Sequence, residues 1–176
     1  MAPKPKITRG QIIEMMIRNP GMRPADVARA LGVSRQTVSY HLKRGSTEGW
    51  ESPAARAASK IPWGDLPAEI IAENSGPYRR CRDHLLYMET GGEGMHREAL
   101  RRLRNWYERL TTWNEVLEYD PSIPPSREIK YGRFAYRVRQ KPDKDLIIRP
   151  NKYTKLSPED KELWRLPAPE LWPVVD

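Results

Sequence analysis

Between Arg23 and Leu42 the chain reads RPADVARALGVSRQTVSYHL, and its apolar positions form two short helical stripes separated by one glycine. Val27, Leu31, Val33, Val38 and Leu42 make a seam at helical spacing. Ala28 falls where two crossing helices touch, so that a larger side chain would push them apart. Gly32 supplies the positive φ that ends the first helix. Ser34 is an N-cap for the second, whose opening N–H groups and positive dipole end then face outward, toward phosphate. Removing the seam leaves Arg35, Gln36, Thr37, Ser39, Tyr40 and Lys43 on the open side, with Arg44 just beyond. This is the pattern of a helix-turn-helix. The alternative is an ordinary two-helix hairpin with a polar face, and the agreement of cap, glycine, alanine and polar side stands against it.

A third helix precedes the pair. Thr8 and Gln11 make a capping box and Ile7 can staple to Ile12. The helix runs to Arg18 with Ile12, Ile13, Met15, Met16 and Ile17 on its apolar side, and Asn19, Pro20 and Gly21 end it. Residues 1–45 are thus a helix-turn-helix domain. Residues 46–62 turn to Gly, Ser, Ala and Pro and read as a partly helical linker, with Ser52 and Pro53 opening a short helix.

The pattern changes at Trp63, and every tryptophan but Trp50 lies from there onward. One helix is expected over Tyr78–Thr90, closed by Gly91 and Gly92. A longer one is expected from Met95 to Trp113, with Leu100, Leu103, Trp106, Tyr107 and Leu110 on one side. VLEY, GRFAYRVRQ and DLIIR, each bounded by Pro, Gly or Asp, predict three strands of a small antiparallel sheet, with Phe134, Tyr136 and Val138 facing inward. Ser157 and Pro158 open a last helix. Residues 63–167 are therefore an α+β domain and 168–176 an extended, proline-rich tail. The fold class is mainly α with a small antiparallel sheet.

Composition alters this picture mainly through where the charge sits. The 176 residues carry a net charge of +8, and it is not evenly spread. Residues 1–60 sum to +7, 61–126 to −3, 127–155 to +7 and 156–176 to −3. Two separate basic foci point to nucleic acid. In the second focus, strand alternation turns Arg133, Arg137 and Arg139 outward, and Lys152 and Lys155 follow. A solvated edge strand is the alternative, but the wider excess of cations favours a phosphate-facing surface. Arg79, Arg80, Arg82 and His84 at the head of the Tyr78 helix read equally as a phosphate clamp or as a solvated face with Asp83 paired locally. Arg101, Arg102 and Arg104, interleaved with Glu98 and Glu108, read as a salt-bridged face.

One cysteine, Cys81, allows no internal disulfide, and the three histidines make no metal-ligand spacing with it. No cofactor or metal is expected. Cys81 and His84 are a nucleophile and base on paper only, and no enzymatic constellation is present. The chain has no signal peptide or membrane span in its sequence, which predicts a cytoplasmic protein of a bacterial host, nucleoid-associated.

The succession SRQTVSYH, IPW, RDHLLYM, RRLRNWYERL, VLEYDPSIPP, GRFAYR, DLIIRPNKYTKLSPE and LWRLP, from about Ala25 to Pro167, resembles the immunity repressors of cluster A mycobacteriophages. The resemblance implies a lysogeny repressor with a C-terminal stoperator domain. Such proteins bind short asymmetric sites as monomers, at an operator and at dispersed sites where they block elongating polymerase. It supports Arg35, Gln36, Ser39 and Tyr40 as readers of bases, and it supports membership at Arg82, His84, Lys152 and Thr154 without giving them a role. Gly64–Tyr78 departs from the family pattern. No Ala-Gly peptide or Ser-Lys pair of self-cleaving repressors is present, so damage-triggered autoproteolysis is not expected.

The function expected from the sequence is sequence-specific repression on double-stranded DNA. One recognition helix reads too few base pairs to pick a site from a genome. No heptad seam for dimerisation is visible, so a second DNA-contacting domain in a monomer is expected. The alternative is a phage packaging or assembly factor, similar to a terminase small subunit, whose second domain oligomerises.

Overall fold

Thr8 starts the first helix as its sequence signals: its side chain accepts from the Gln11 N–H, and the Gln11 side chain accepts from the Thr8 N–H at 2.9 Å. The computed structural model describes residues 7–19, 21–43, 51–72 and 76–175. Contacts divide the chain into two units, Met1–Ala55 and Arg56–Asp176.

The first unit holds α1 (Arg9–Arg18), α2 (Pro24–Ala30) and α3 (Arg35–Lys43). Ile12, Met16, Val27, Ala28 and Val38 are its buried centre, and Ile7, Met15, Met22, Leu31, Val33 and Leu42 pack around them. Ile12, Val27 and Val38 are fully buried, each stabilising the unit by roughly 1.5–3 kcal/mol. Ile17 is 54% exposed, so the apolar side of α1 is narrower than its sequence suggests. Gly32 takes φ +66° between α2 and α3, as the turn requires.

Ser52 accepts from the Ala55 N–H at 3.1 Å and opens α4 (Pro53–Ser59). The second unit contains α5 (Ala68–Ala72), α6 (Gly76–Thr90), α7 (Arg97–Thr112), β1 (Glu115–Tyr119), β2 (Phe134–Val138) and α8 (Pro158–Leu163). Trp63 is central to its core: the ring meets Tyr119, Phe134 and Trp164 at 5.2, 5.1 and 6.2 Å, and Nε1 donates to Thr154 Oγ1 at 2.9 Å. Leu103, Trp106, Tyr107 and Leu110 bury one side of α7 against that core. Gly91 and Gly92, both at positive φ, end α6.

The sheet has two strands among the described residues, paired antiparallel from Glu115↔Val138 to Tyr119↔Phe134. The third expected strand is absent. In DLIIR the Ile147 carbonyl accepts from Leu117, while its N–H donates to Trp164 at the end of α8. The segment is thus shared between two partners, with a single parallel bridge, Leu117↔Ile148, to the sheet. Val138 is also corrected: burial falls along β2 and leaves it 70% exposed at the end of the ribbon.

Two further differences concern packing that sequence periodicity does not show. α5 lies in the stretch that departs from the family pattern, where Leu66 and Ile70 enter the core. The stretch after Pro167 is not a loose tail. It makes a 3₁₀ turn at Pro169–Leu171 and buries Trp172, whose Nε1 donates to the Pro167 carbonyl at 2.8 Å and whose ring meets Tyr107.

Candidate nucleic-acid interface

The three helices of the first unit hold α3 with Val38 inward and Leu42 half-buried, which fixes the face left outside. Ser34 Oγ accepts from the Thr37 N–H at 3.1 Å and lies 2.9 Å from the Thr37 hydroxyl. That cap uses one of the four open N–H groups of the helix start and leaves the others, with the positive dipole end, toward solvent. Arg35 and Gln36 are exposed, and Thr37 and Ser39 are half-buried beside them. Tyr40 is 53% exposed, with its ring edge-on to His41 at 5.5 Å. Among the described residues Arg35 holds no ion pair, so its fork is open to a base edge or phosphate. Lys43 closes α3, and Arg44 lies outside the described residues.

In the second unit the residues expected to face DNA do not act as a set. His84 is fully buried, with Nδ1 2.7 Å from the Tyr107 hydroxyl, Nε2 2.6 Å from the Leu163 carbonyl and its ring stacked on Trp164. A side chain so enclosed cannot meet DNA, and His84 is corrected to a core residue. Burial pushes its pKa down to about 4, against the hydrogen bond to Leu163. Thr154, also buried, is the acceptor for Trp63.

Of the strand arginines, Arg139 is corrected to a structural tie, whereas Arg133 and Arg137 have partners within the unit without being enclosed. Arg139 is partly buried and donates to the carbonyls of Lys144, Leu146 and Glu115 at 2.9, 2.6 and 2.8 Å. It ties the end of β2 to β1 and to the following turn. Arg137 pairs with Glu118 across the strands at 2.9 Å. Arg133 takes φ +63°, its N–H donates to the Ile123 carbonyl at 2.7 Å, and its side chain serves the Tyr119 hydroxyl. Alternation predicts which way such side chains leave a strand and says nothing of the acceptors waiting there.

Arg79, Lys152 and Lys155 are exposed. Lys152 lies 4.8 Å from the Tyr153 ring, and the hydrogen bond it donates to that neighbour's hydroxyl raises its pKa. Arg82 sits 5.9 Å over Tyr78. Arg80 Nη1 donates to the Tyr136 hydroxyl at 3.1 Å. On α7, Arg101 pairs with Glu98 and Arg104 with Glu108, as their spacing suggests. Arg102 instead crosses to α6 and grips Asp83 through Nε and Nη2 at 2.9 and 2.7 Å. Burial pushes the Asp83 carboxyl up, opposed by that guanidinium.

Cys81 is fully buried, and desolvation drives its thiol well above the ordinary range, which disfavours the reactive thiolate. Among the described residues no group of His, Cys, Asp or Glu is placed to hold a metal ion. No described helix is long and apolar enough to cross a membrane.

Residues 6–44 match the model of the winged helix-turn-helix DNA-binding family. Among the described residues of that span the secondary structure is helical throughout, with no strand. Over 153 residues the chain is 34% identical to a repressor-like immunity protein of Mycobacterium phage L5, covering 86% of this chain and 80% of that protein. The match extends well past the headpiece into the tryptophan-rich unit. A capped recognition helix with an open polar face, together with relatedness along most of both chains, makes this protein a helix-turn-helix DNA-binding member of the mycobacteriophage immunity repressor family.

Proposed function

We propose that this protein maintains lysogeny by binding short asymmetric double-stranded sites as a monomer, both at an operator and at dispersed stoperator sites. The observation that carries the reading is the open face of α3, where Arg35, Gln36, Ser39 and Tyr40 stand clear of the buried seam. Placed in the major groove, Arg35 forks onto guanine O6 and N7, Gln36 onto adenine, and the Thr37 methyl lies near a thymine methyl. The second unit extends the footprint through Arg79, Lys152, Lys155 and the head of α6. It acts in the cytoplasm of the bacterial host, on the nucleoid. The packaging-factor alternative has no support in either relationship.

The test is selection of bound duplexes from a random pool by the full-length protein. An asymmetric motif longer than one major groove is expected, and a palindrome would show a dimer instead. In competition assays Arg35→Ala is expected to relax base preference at one position and cost roughly 1–3 kcal/mol at the selected site.

A further inference from the structure

Along α7, Arg101, Arg102, Asn105 and Arg109 follow at helical intervals on one side. With Arg80 of α6 and Trp106 beneath, they line a cleft of about 310 Å³. Glu98 closes one edge. The charges on the cleft are only partly spent. Arg102 is held by Asp83, Arg109 by Glu115 and Glu128, and Arg101 by Glu98. Among the described residues Arg80 has no carboxylate partner, only the Tyr136 hydroxyl, and Arg109 lies over the Tyr136 ring at 3.6 Å. Each guanidinium carries five donors in a planar fork, so the pairs leave N–H groups over on Arg80, Arg101 and Arg109. Trp106 is 1% exposed, and among the described residues no acceptor completes a hydrogen bond to its buried Nε1.

A ligand for such walls must bring acceptors only. A cation is repelled by four guanidinium groups, and an apolar group gains nothing from charged walls. A carboxylate offers two acceptor atoms, whereas a tetrahedral oxyanion presents several oxygens to donors arriving from two helices. The cleft exceeds the size of one such group, which leaves space for a chain attached to it.

We propose that this cleft is a phosphate-binding site, occupied by one backbone phosphate when the protein is on DNA. The proposal rests on the reading above that the second unit touches DNA. Arg101 is the donor to alter, since its side chain is 51% exposed and bonds only to Glu98 on its own helix.

Full-length Arg101→Gln is titrated onto the selected duplex over a range of potassium chloride, beside Arg165→Gln, which removes the same charge outside the cleft. Arg101→Gln is expected to flatten the dependence of log Kd on log salt by about one, with the ranking of sequences unchanged and Arg165→Gln without that effect. A second arm follows the Trp106 indole N–H signal of ¹⁵N-labelled full-length protein, assigned through Trp106→Phe, as inorganic phosphate is added at fixed ionic strength without DNA. A shift in the parent protein, absent in Arg101→Gln, is expected. That shift with an unchanged salt slope upholds the phosphate site but assigns it to a soluble phosphorylated ligand, overturning the DNA half. No shift and no change of slope overturns the proposal. A Lys152→Gln, Lys155→Gln double variant separates the two readings, because a flattened slope there alone keeps the second unit on DNA while the cleft loses its role.

Discussion

His84 makes the stability of the second unit depend on pH in a direction that can be worked out beforehand. Its imidazole is sealed between Tyr107, Trp106, Trp164 and the Leu163 carbonyl, and burial lowers its pKa from 6.5 to about 4. Because the folded value is the lower one, the unfolded chain binds the extra proton between those limits. Stability is therefore complete above about pH 6.5, falls as pH drops, and levels off below about 4. The full gap corresponds to roughly 3 kcal/mol, of which about 2 kcal/mol is lost between pH 7 and pH 5. Urea unfolding followed by tryptophan fluorescence reads this directly, since every tryptophan but Trp50 lies in the second unit. His84→Gln cannot titrate. It is expected to be less stable at pH 7 by about 2 kcal/mol and to lose most of the difference between pH 7 and pH 5. Asp83, raised by burial, works in the opposite sense and is present in both proteins, so the comparison removes it. An equal loss of stability in the Gln variant would refute the assignment.

Two glycines at positive φ should answer differently to alanine. Gly32 has nothing within 4 Å of an added Cβ, so Gly32→Ala costs about 1 kcal/mol of headpiece stability, from backbone conformation alone. At Gly132 the same methyl would lie 2.4 Å from the Ile123 carbonyl oxygen and 2.6 Å from the Pro124 backbone, and a loss of roughly 4 kcal/mol or more is expected by calorimetry. Similar losses at the two sites would contradict the steric argument. Arg139→Met leaves three backbone carbonyls without their donor and is expected to cost about 3 kcal/mol while leaving the salt dependence of DNA binding intact. Unchanged stability with weakened binding would return Arg139 to the DNA-facing surface.

The headpiece was legible because each of its signals is local. Caps at Thr8 and Ser34, the positive φ at Gly32 and the seam from Val27 to Leu42 are decided within a few residues of chain. The same holds for α6, α7 and α8, which are punctuated by Gly91, Gly92, Ser157 and Pro158. What escaped depends on partners distant in sequence. His84 looks like a surface residue beside Arg82 and Asp83, and only Leu163 and Tyr107 reveal it as core. Arg139 looks like a strand cation until the carbonyls of Glu115 and Leu146 appear beside it. Trp172 lies within a run with three prolines, which reads as extended, yet Tyr87 donates to the Leu171 carbonyl and Arg104 to that of Pro173. Spacing on α7 paired Arg101 and Arg104 correctly, but sent Arg102 to its own helix rather than to Asp83.

The hydrogen bond from Trp63 to Thr154 spans 91 residues of chain, and it bears on how the protein is made. Among the described residues the core partners of the headpiece lie between Ile7 and Leu42, so that unit is ready to fold while the rest is still being synthesised. The second unit must wait for Thr154, Trp164 and Trp172 to leave the ribosome before its first tryptophan is enclosed. Domains emerge and fold in order from the N-terminus, and long-range closure is slow. During translation the helix-turn-helix is therefore expected to be complete on a nascent chain whose aromatic core is still open, and truncated products would retain it without the second unit.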